Sequence, residues 1–217
     1  MKIALIGASG FVGTAILKEA LNRNHEVVAI VRNPENITIQ NKNLVIKQGD
    51  VLDENTVENL VQGCDVAVSA YNPGWSNPDI YNEFLRGSKS IQNGVKKAQL
   101  KRYIVIGGAG SLEIAPGLQA VDTPEFPQAI KPGATAARDY LNILKEEKEL
   151  DWVFFSPAFE MHQGTSGVRK GMYRLGLDNP VFDENGRSIM SVEDLAMVII
   201  DELEMPKHSR QRFTAAY

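Results

Sequence analysis

The sequence predicts an α/β protein built on a doubly wound parallel sheet with helices on both faces. Two observations carry this prediction. Short apolar runs alternate with longer segments of helical periodicity through the first two thirds of the chain, and most of the connections between them are short. Strands that alternate with helices form right-handed βαβ units, which place helices on both faces of a parallel sheet. Ligands of such sheets bind beyond the carboxyl ends of the strands.

Local patterns place each element. The predicted strands cover residues 2–6, 27–31, 44–47, 65–69, 102–106 and 152–156. The predicted helices cover residues 14–21, 52–62, 79–99, 134–150 and 191–204. Asp53 and Ser191 stand at helix starts, where short polar side chains accept hydrogen bonds from free N–H groups, and Asp194 occupies a capping-box-like position. The charged run 146–149 indicates a solvated helix face.

A glycine-rich turn joins the first strand to the first helix. Its sequence is Gly7-Ala8-Ser9-Gly10-Phe11-Val12-Gly13. Glycine permits a tight turn, close approach of the backbone to a pyrophosphate and close packing of helix on strand. The free N–H groups of the helix then face the phosphates. In this strand–turn–helix context the motif favours a Rossmann-type dinucleotide site over an ordinary strand–helix turn.

The end of the second strand bears on the choice of dinucleotide. An NAD-dependent enzyme usually has an acidic residue about 20 residues beyond the glycines, where it binds the ribose hydroxyls. This chain has Arg32 there. A guanidinium can hold a 2′-phosphate by charge-assisted hydrogen bonds, so the sequence favours NADP, with NAD still possible. The alternative for Arg32 is a solvated loop residue.

Residues that follow the other strands are predicted to line the same edge of the sheet. These residues are Asp50, Val51, Ala70, Tyr71, Gly107, Gly108, Pro157, Ala158 and Phe159. Asp50 is suited either to the exocyclic amine of adenine or to a simple turn. Tyr71 is either a pocket wall or a packed aromatic side chain.

Two later segments are predicted to complete a substrate pocket. Residues 107–133 lack clear periodicity and contain four prolines, so we interpret them as a lid over the site. Residues of about 157–190 form a small C-terminal extension on the substrate side, with short strands or loops at 167–174 and 180–183. We expect one domain over residues 1–217.

Composition argues against several other classes. The chain has 217 residues, 43% of them hydrophobic, and a net charge of −4, so no basic surface for nucleic acid or an anionic membrane is expected. One cysteine and three dispersed histidines predict neither a disulfide nor a metal site. The N-terminal apolar run is broken by glycines, which argues against a signal peptide and for a cytoplasmic protein. We expect the protein to be a monomer or a homodimer.

These motifs resemble those of a known family. The chain is similar to the atypical short-chain dehydrogenases, specifically the small NAD(P)H-binding proteins described as NADH-flavin reductases and related to biliverdin reductase B and the NmrA-like proteins. The resemblance rests on the glycine loop and on residues 31–34, 49–51, 107–111, 150–152, 156–158, 171–174 and 212–214. It implies that the loop, Arg32, Asp50, Val51, Ala70, Gly107 and residues 157–159 line the cofactor, with the last group facing the nicotinamide.

The chain departs from the related carbonyl reductases at the catalytic positions. Those enzymes use a Tyr-x-x-x-Lys pair, but four residues after Tyr140 stands Leu144, and Lys145 is one residue late. The usual serine is replaced by Gly108 or Ala109, which leaves Ser111 as a displaced candidate. Tyr140 and Ser111 are therefore weak catalytic candidates.

A planar acceptor removes the need for a tuned acid. A flavin or quinone-like ring can take hydride from the nicotinamide when the protein stacks and orients the two rings. Tyr71, Trp75, Phe159 and Tyr173 are candidates for that apolar platform. The sequence thus predicts an NAD(P)H-dependent reductase of a planar acceptor. Two alternatives are an NADP-sensing NmrA-like regulator and an epimerase- or isomerase-like enzyme with Tyr140 as its acid.

Overall fold

The computed structural model describes residues 1–217, which form ten strands and five helices. The strands are β1 (Lys2–Ile6), β2 (Glu26–Val31), β3 (Leu44–Gln48), β4 (Val66–Ser69), β5 (Arg102–Ile106), β6 (Glu113–Ala115), β7 (Leu118–Gln119), β8 (Asp151–Ser156), β9 (Arg174–Gly176) and β10 (Gln211–Ala216). The helices are α1 (Phe11–Asn22), α2 (Glu54–Val61), α3 (Ile80–Lys97), α4 (Lys131–Lys145) and α5 (Val192–Glu204).

Eight strands form one sheet in the order β3-β2-β1-β4-β5-β8-β10-β9. Every neighbouring pair is parallel except β10 with β9, which is antiparallel and closes one edge. The chain winds outward from β1 to β3 and then resumes on the other side at β4. The carboxyl ends of β1 and β4 therefore border the crevice where ligands of doubly wound sheets bind. The predicted fold class is confirmed.

The core has two layers, one on each face of the sheet. Side chains of β1 alternate between them: Ile3 and Leu5 pack in the layer under α1 and α5, whereas Ala4 and Ile6 pack in the layer under α2, α3 and α4. Strands buried on both faces explain the continuous apolar runs of the sequence. The sheet edge that holds the predicted site is thus fixed by packing from both sides.

The helix starts follow the predicted capping in part. The Asp53 carboxylate accepts hydrogen bonds from the N–H groups of Asn55 and Thr56, and the Ser191 hydroxyl accepts one from Asp194 N at 3.1 Å. The box at Ser191 is not closed, because the carboxylate of Asp194 does not bind the Ser191 N–H. It is fully buried and instead accepts bonds from the N–H groups of Lys170 and Gly171. Asp194 therefore anchors the segment around residues 170–171 to α5.

The fourth helix ends earlier than predicted. It stops at Lys145 rather than at residue 150, so the run 146–149 is not a helix face. Glu147 is buried in the turn into β8, where it accepts hydrogen bonds from Glu149 N at 2.6 Å and from the Gln92 amide at 2.8 Å. The ammonium of Lys96 lies 3.1 Å from the same carboxylate. The chain must turn there to enter β8, and this carboxylate satisfies the turn's N–H groups.

The sequence patterns did not predict β10, the strand that lies between β8 and β9 in the sheet. β10 is a buried inner strand, but its Arg212 and Thr214 hide the apolar pattern of a core strand. Arg212 is buried because it donates to the carboxylate of Asp178 and to the carbonyl of Ser111. Within the predicted lid, β6 and β7 form a short hairpin.

The buried Glu147 carboxylate should make the free energy of unfolding depend on pH. Burial raises the pKa of its carboxyl, but the N–H groups of Glu149 and Leu150, the Gln92 amide and Lys96 outweigh burial and lower it to about 2 from its ordinary 4.5. Because the folded pKa is depressed, this contribution of about 3 kcal/mol is present above pH 4.5 and is lost as pH falls toward 2. In urea unfolding, Glu147→Gln should cost about 3 kcal/mol at neutral pH and progressively less in acid. Glu146→Gln, at an exposed position that forms no ion pair, is the control; a Glu147→Gln deficit independent of pH would contradict the assignment.

Candidate functional site

The glycine turn lies at the carboxyl end of β1, and its glycines have different roles. Gly7 has a φ of +77°, and a Cβ there would lie 2.6 Å from the carbonyl oxygen of Ala70. A Cβ on Gly13 would overlap the carbonyl oxygen of Gly7. The nearest atom to a Cβ on Gly10 is the Gly7 carbonyl oxygen at 3.4 Å, an ordinary contact. The fold itself therefore requires Gly7 and Gly13, whereas Gly10 leaves open surface.

That open surface is the N-terminus of α1. Ser9, Gly10 and Phe11 are exposed, Gly10 is the N-cap, and no side chain caps the helix. The first turn contains no acidic residue. The unpaired N–H groups and the positive end of the helix dipole thus face outward, which is the arrangement that suits a pyrophosphate.

Arg32 and Asp50 lie at the carboxyl ends of β2 and β3. Arg32 is exposed, no carboxylate forms an ion pair with it, and its only hydrogen bond is from Gln48 to its carbonyl, at 3.0 Å. Asp50 accepts a hydrogen bond from Leu52 N at 3.0 Å, the turn role that was one of its two alternatives, and Val51 beside it is buried. The Arg32 guanidinium is free to meet an anion.

Ala70 and Tyr71 follow β4, but only Ala70 lies against the glycine turn. The Ala70 N–H donates to the Ile6 carbonyl at 2.9 Å, beside Gly7. The Tyr71 ring packs against Gly87 and Phe84, and its hydroxyl donates to the Glu83 carbonyl at 3.2 Å. Burial, with a further contribution from Glu83, raises the pKa of Tyr71 to about 12. Tyr71 is therefore packed against α3 and is half-buried.

The turn after β5 is stabilised by a hydrogen bond from the buried Ser111 hydroxyl. Gly107 N donates to the Phe155 carbonyl at 2.8 Å, and a Cβ on Gly107 would overlap the Phe154 ring. Gly108 precedes a short 3-10 turn, at the end of which Ser111 is fully buried. The Ser111 hydroxyl donates to the Gly108 carbonyl at 3.0 Å. Ser111 thus stabilises the turn and presents no hydroxyl to the crevice.

Tyr140 likewise presents no hydroxyl to the crevice. Its ring is fully buried between α4 and α3, and its hydroxyl lies 3.2 Å from the Gln92 amide oxygen and 3.4 Å from the Tyr103 hydroxyl. Burial raises the pKa of Tyr140 well above its ordinary value. Lys145 is exposed in the last turn of α4. The two weak catalytic candidates, Tyr140 and Ser111, therefore do not meet at the site.

The turn after β8 divides into a buried and an exposed part. Pro157 and Ala158 are buried, whereas the Phe159 ring is exposed and lies 6.2 Å, centroid to centroid, from the ring of Phe182. Phe182 is not among the site residues predicted from the sequence. The one sequence feature that could have indicated it is the presence of an aromatic residue in the run 180–183, a segment predicted to complete the substrate pocket.

The other two platform candidates behave differently. The Tyr173 hydroxyl donates to Asp201 on α5 at 2.7 Å, so this ring belongs to the face of α5. Trp75 is 60% exposed and covers Gly133 at the start of α4. Two polar residues that follow Phe159 are bound within their own segment: His162 caps a short turn and Glu160 pairs with Arg187.

The fold and this edge define a class of protein: a Rossmann-type protein with an open glycine loop at a helix N-terminus. The chain matches the NAD(P)H-binding family over residues 7–206 and belongs to that family. The family resemblance stated from the motifs is confirmed. No helix has both the length and the apolar character needed to span a bilayer.

Several known proteins are similar over the whole chain. YwnB, an uncharacterized protein of Bacillus subtilis, is 39% identical over 99% of this chain and 97% of its own. A solved structure of a provisionally named epimerase from Bacteroides thetaiotaomicron is 51% identical, with a TM-score of 0.92 over 100% of this chain and 96% of that chain. A provisionally named NADH-flavin reductase from Streptococcus pneumoniae is 33% identical, with a TM-score of 0.87 over 100% and 99%.

Proposed function

We propose that this protein is an NADPH-dependent reductase that delivers hydride to a flavin or a similar planar acceptor. Membership of the NAD(P)H-binding family supports an oxidoreductase that uses a nicotinamide cofactor. One observation supports the acceptor class: Tyr140 and Ser111, the candidates for a proton-donating system, are both fully buried and hydrogen-bonded within the core. The provisional name of the Streptococcus pneumoniae relative points the same way. A cytoplasmic location is part of this proposal.

The residues present fit NADPH. Gly10 leaves the N-terminus of α1 open to the pyrophosphate, and Arg32 is free to bind the 2′-phosphate. Ala70, Gly107 and Pro157 would line the crevice toward the nicotinamide. When bound, NADPH supplies a hydride from the nicotinamide to the acceptor ring, and solvent provides the proton that completes the reduction. The protein's part is to hold the two rings in contact, which alone can contribute about 7–11 kcal/mol in favourable systems.

An acceptor screen tests the proposal. Purified protein is mixed with NADPH and, in separate reactions, riboflavin, FMN and two quinones, and the loss of nicotinamide absorbance is followed. We expect turnover with at least one flavin, and none with heat-inactivated protein. Tight NADP⁺ binding without turnover on any acceptor would overturn the reductase assignment and favour a sensory role.

An epimerase-like enzyme is the second candidate, because the 51% identical structure carries that provisional name. Such an enzyme would need a proton donor at the site, and Tyr140 is the residue that the sequence offers. Since the Tyr140 hydroxyl binds only Gln92 and Tyr103, we expect Tyr140→Phe to change kcat/KM for flavin reduction by less than about twofold. Steady-state kinetics check this; a loss of about a hundredfold or more would favour an acid role for Tyr140. Thermal unfolding of the variant separates either result from a loss of folded protein.

A further inference from the structure

Two aromatic rings stand exposed beside the carboxyl end of β8. Phe159 is 39% exposed and Phe182 is 46% exposed, and their ring planes are tilted by 54°. Phe159 belongs to the segment 157–159, which the family resemblance implies faces the nicotinamide. The two rings come from segments more than twenty residues apart in the chain, so the fold itself brings them together.

The backbone under both rings is held by hydrogen bonds. Glu160 N donates to the Ser188 carbonyl at 2.8 Å, and the Glu160 carboxylate pairs with Arg187, whose Nε lies 3.0 Å away. The Phe182 carbonyl accepts a hydrogen bond from Arg174 of β9 at 2.6 Å. The exposed rings therefore do not mark a loose loop, and a ligand that binds them meets a preformed surface.

Packing does not account for this exposure. The neighbours Met161 and Val181 turn inward and pack against the core, whereas Phe159 and Phe182 remain outside. The charged groups around the two rings include both signs: Glu160 pairs with Arg187, and Asp183 lies near Arg187 and Arg174, so neither sign dominates this apolar surface. Of the four aromatic residues suggested by the sequence, Tyr71 and Tyr173 have their hydroxyls bound elsewhere.

We propose that Phe159 and Phe182 form the surface that binds the acceptor ring, with Phe182 as a residue that selects acceptors by size. This inference rests on the proposed function. Apolar and aromatic contacts bind a flat ring through its faces and edges. Because the two phenyl groups together span more than one six-membered ring, they favour a fused multi-ring acceptor such as an isoalloxazine over a single-ring quinone.

Substitution of Phe182 tests this assignment. With NADP⁺ at saturation, riboflavin binding is titrated by the quenching of its fluorescence, for the wild type, Phe182→Ala and Phe182→Tyr. We expect Phe182→Ala to weaken riboflavin binding by about tenfold and Phe182→Tyr to retain it, because the tyrosine keeps the aromatic face. Met205→Ala is the matched control, since Met205 is an exposed apolar residue just after α5, at the opposite edge of the sheet.

Kinetics separate binding from folding. Phe182→Ala should raise KM for riboflavin with little change in kcat, and should raise KM for benzoquinone less. The NADP⁺ dissociation constant and the thermal midpoint should match those of the wild type. Equal riboflavin affinity and equal KM in Phe182→Ala and wild type would overturn the inference even if the protein is a reductase. A wild type that binds riboflavin through Phe182 but never oxidises NADPH would support the surface and overturn the proposed function.

Discussion

Replacement of Gly13 by alanine is expected to lower the free energy of unfolding by about 3 kcal/mol and to abolish dinucleotide binding. The added Cβ would overlap the carbonyl oxygen of Gly7, a backbone atom that cannot move without opening the turn between β1 and α1. Urea unfolding measures the first effect, and titration of NADPH fluorescence measures the second. A Gly13→Ala protein as stable as the wild type would show that α1 can move away from β1.

Gly10→Ala is the matched comparison within the same turn. Its Cβ would lie 3.4 Å from the nearest atom, and the φ of −75° at Gly10 suits alanine, so stability should fall by less than about 1 kcal/mol, the amount by which alanine is the poorer N-cap. NADPH binding should nevertheless fall at least about tenfold, because the new methyl group stands over the helix N-terminus where the pyrophosphate must approach. Unchanged NADPH affinity in Gly10→Ala would contradict the placement of the pyrophosphate.

The second large effect is expected at Arg32. Arg32→Ala should weaken NADPH binding by about ten- to a hundredfold, or about 1.5–3 kcal/mol, and leave NADH binding nearly unchanged, because only NADPH carries the 2′-phosphate. Fluorescence titration of both dinucleotides gives the ratio directly. Lys42→Ala removes an exposed positive charge outside the predicted site and serves as the control. If Arg32→Ala weakens both dinucleotides equally, Arg32 does not select the phosphate.

Much of the fold follows from the sequence because its signals are local. The strand at Lys2–Ile6 is buried on both faces, and Gly13 is required by its contact with Gly7 in the same turn, so both can be read from a short window. Asp53 is predictable as a cap for the same reason. The carboxyl edge of the sheet then places the residues after each strand, which is why the candidate site could be outlined in advance.

The parts that the sequence did not predict depend on distant partners. Arg212 is compatible with a buried strand only because Asp178 and the Ser111 carbonyl neutralise and bind its guanidinium. Glu147 is buried only because Gln92 and Lys96 from another helix reach it. Phe182 lies beside Phe159, a residue 23 positions earlier in the chain, and its carbonyl is bound by Arg174 of β9. Side chains whose role depends on contacts across the fold leave no periodic signal.

The proposed reaction is hydride delivery from NADPH to a planar ring at this edge of the sheet, without a protein acid. Anaerobic mixing of the protein with NADPH and riboflavin tests it most directly, with nicotinamide oxidation and flavin bleaching followed together. We expect one flavin to be bleached for each NADPH oxidised, at the same rate in the wild type and in Tyr140→Phe. Flavin bleaching no faster than with heat-inactivated protein, or bleaching that depends on the Tyr140 hydroxyl, would contradict it.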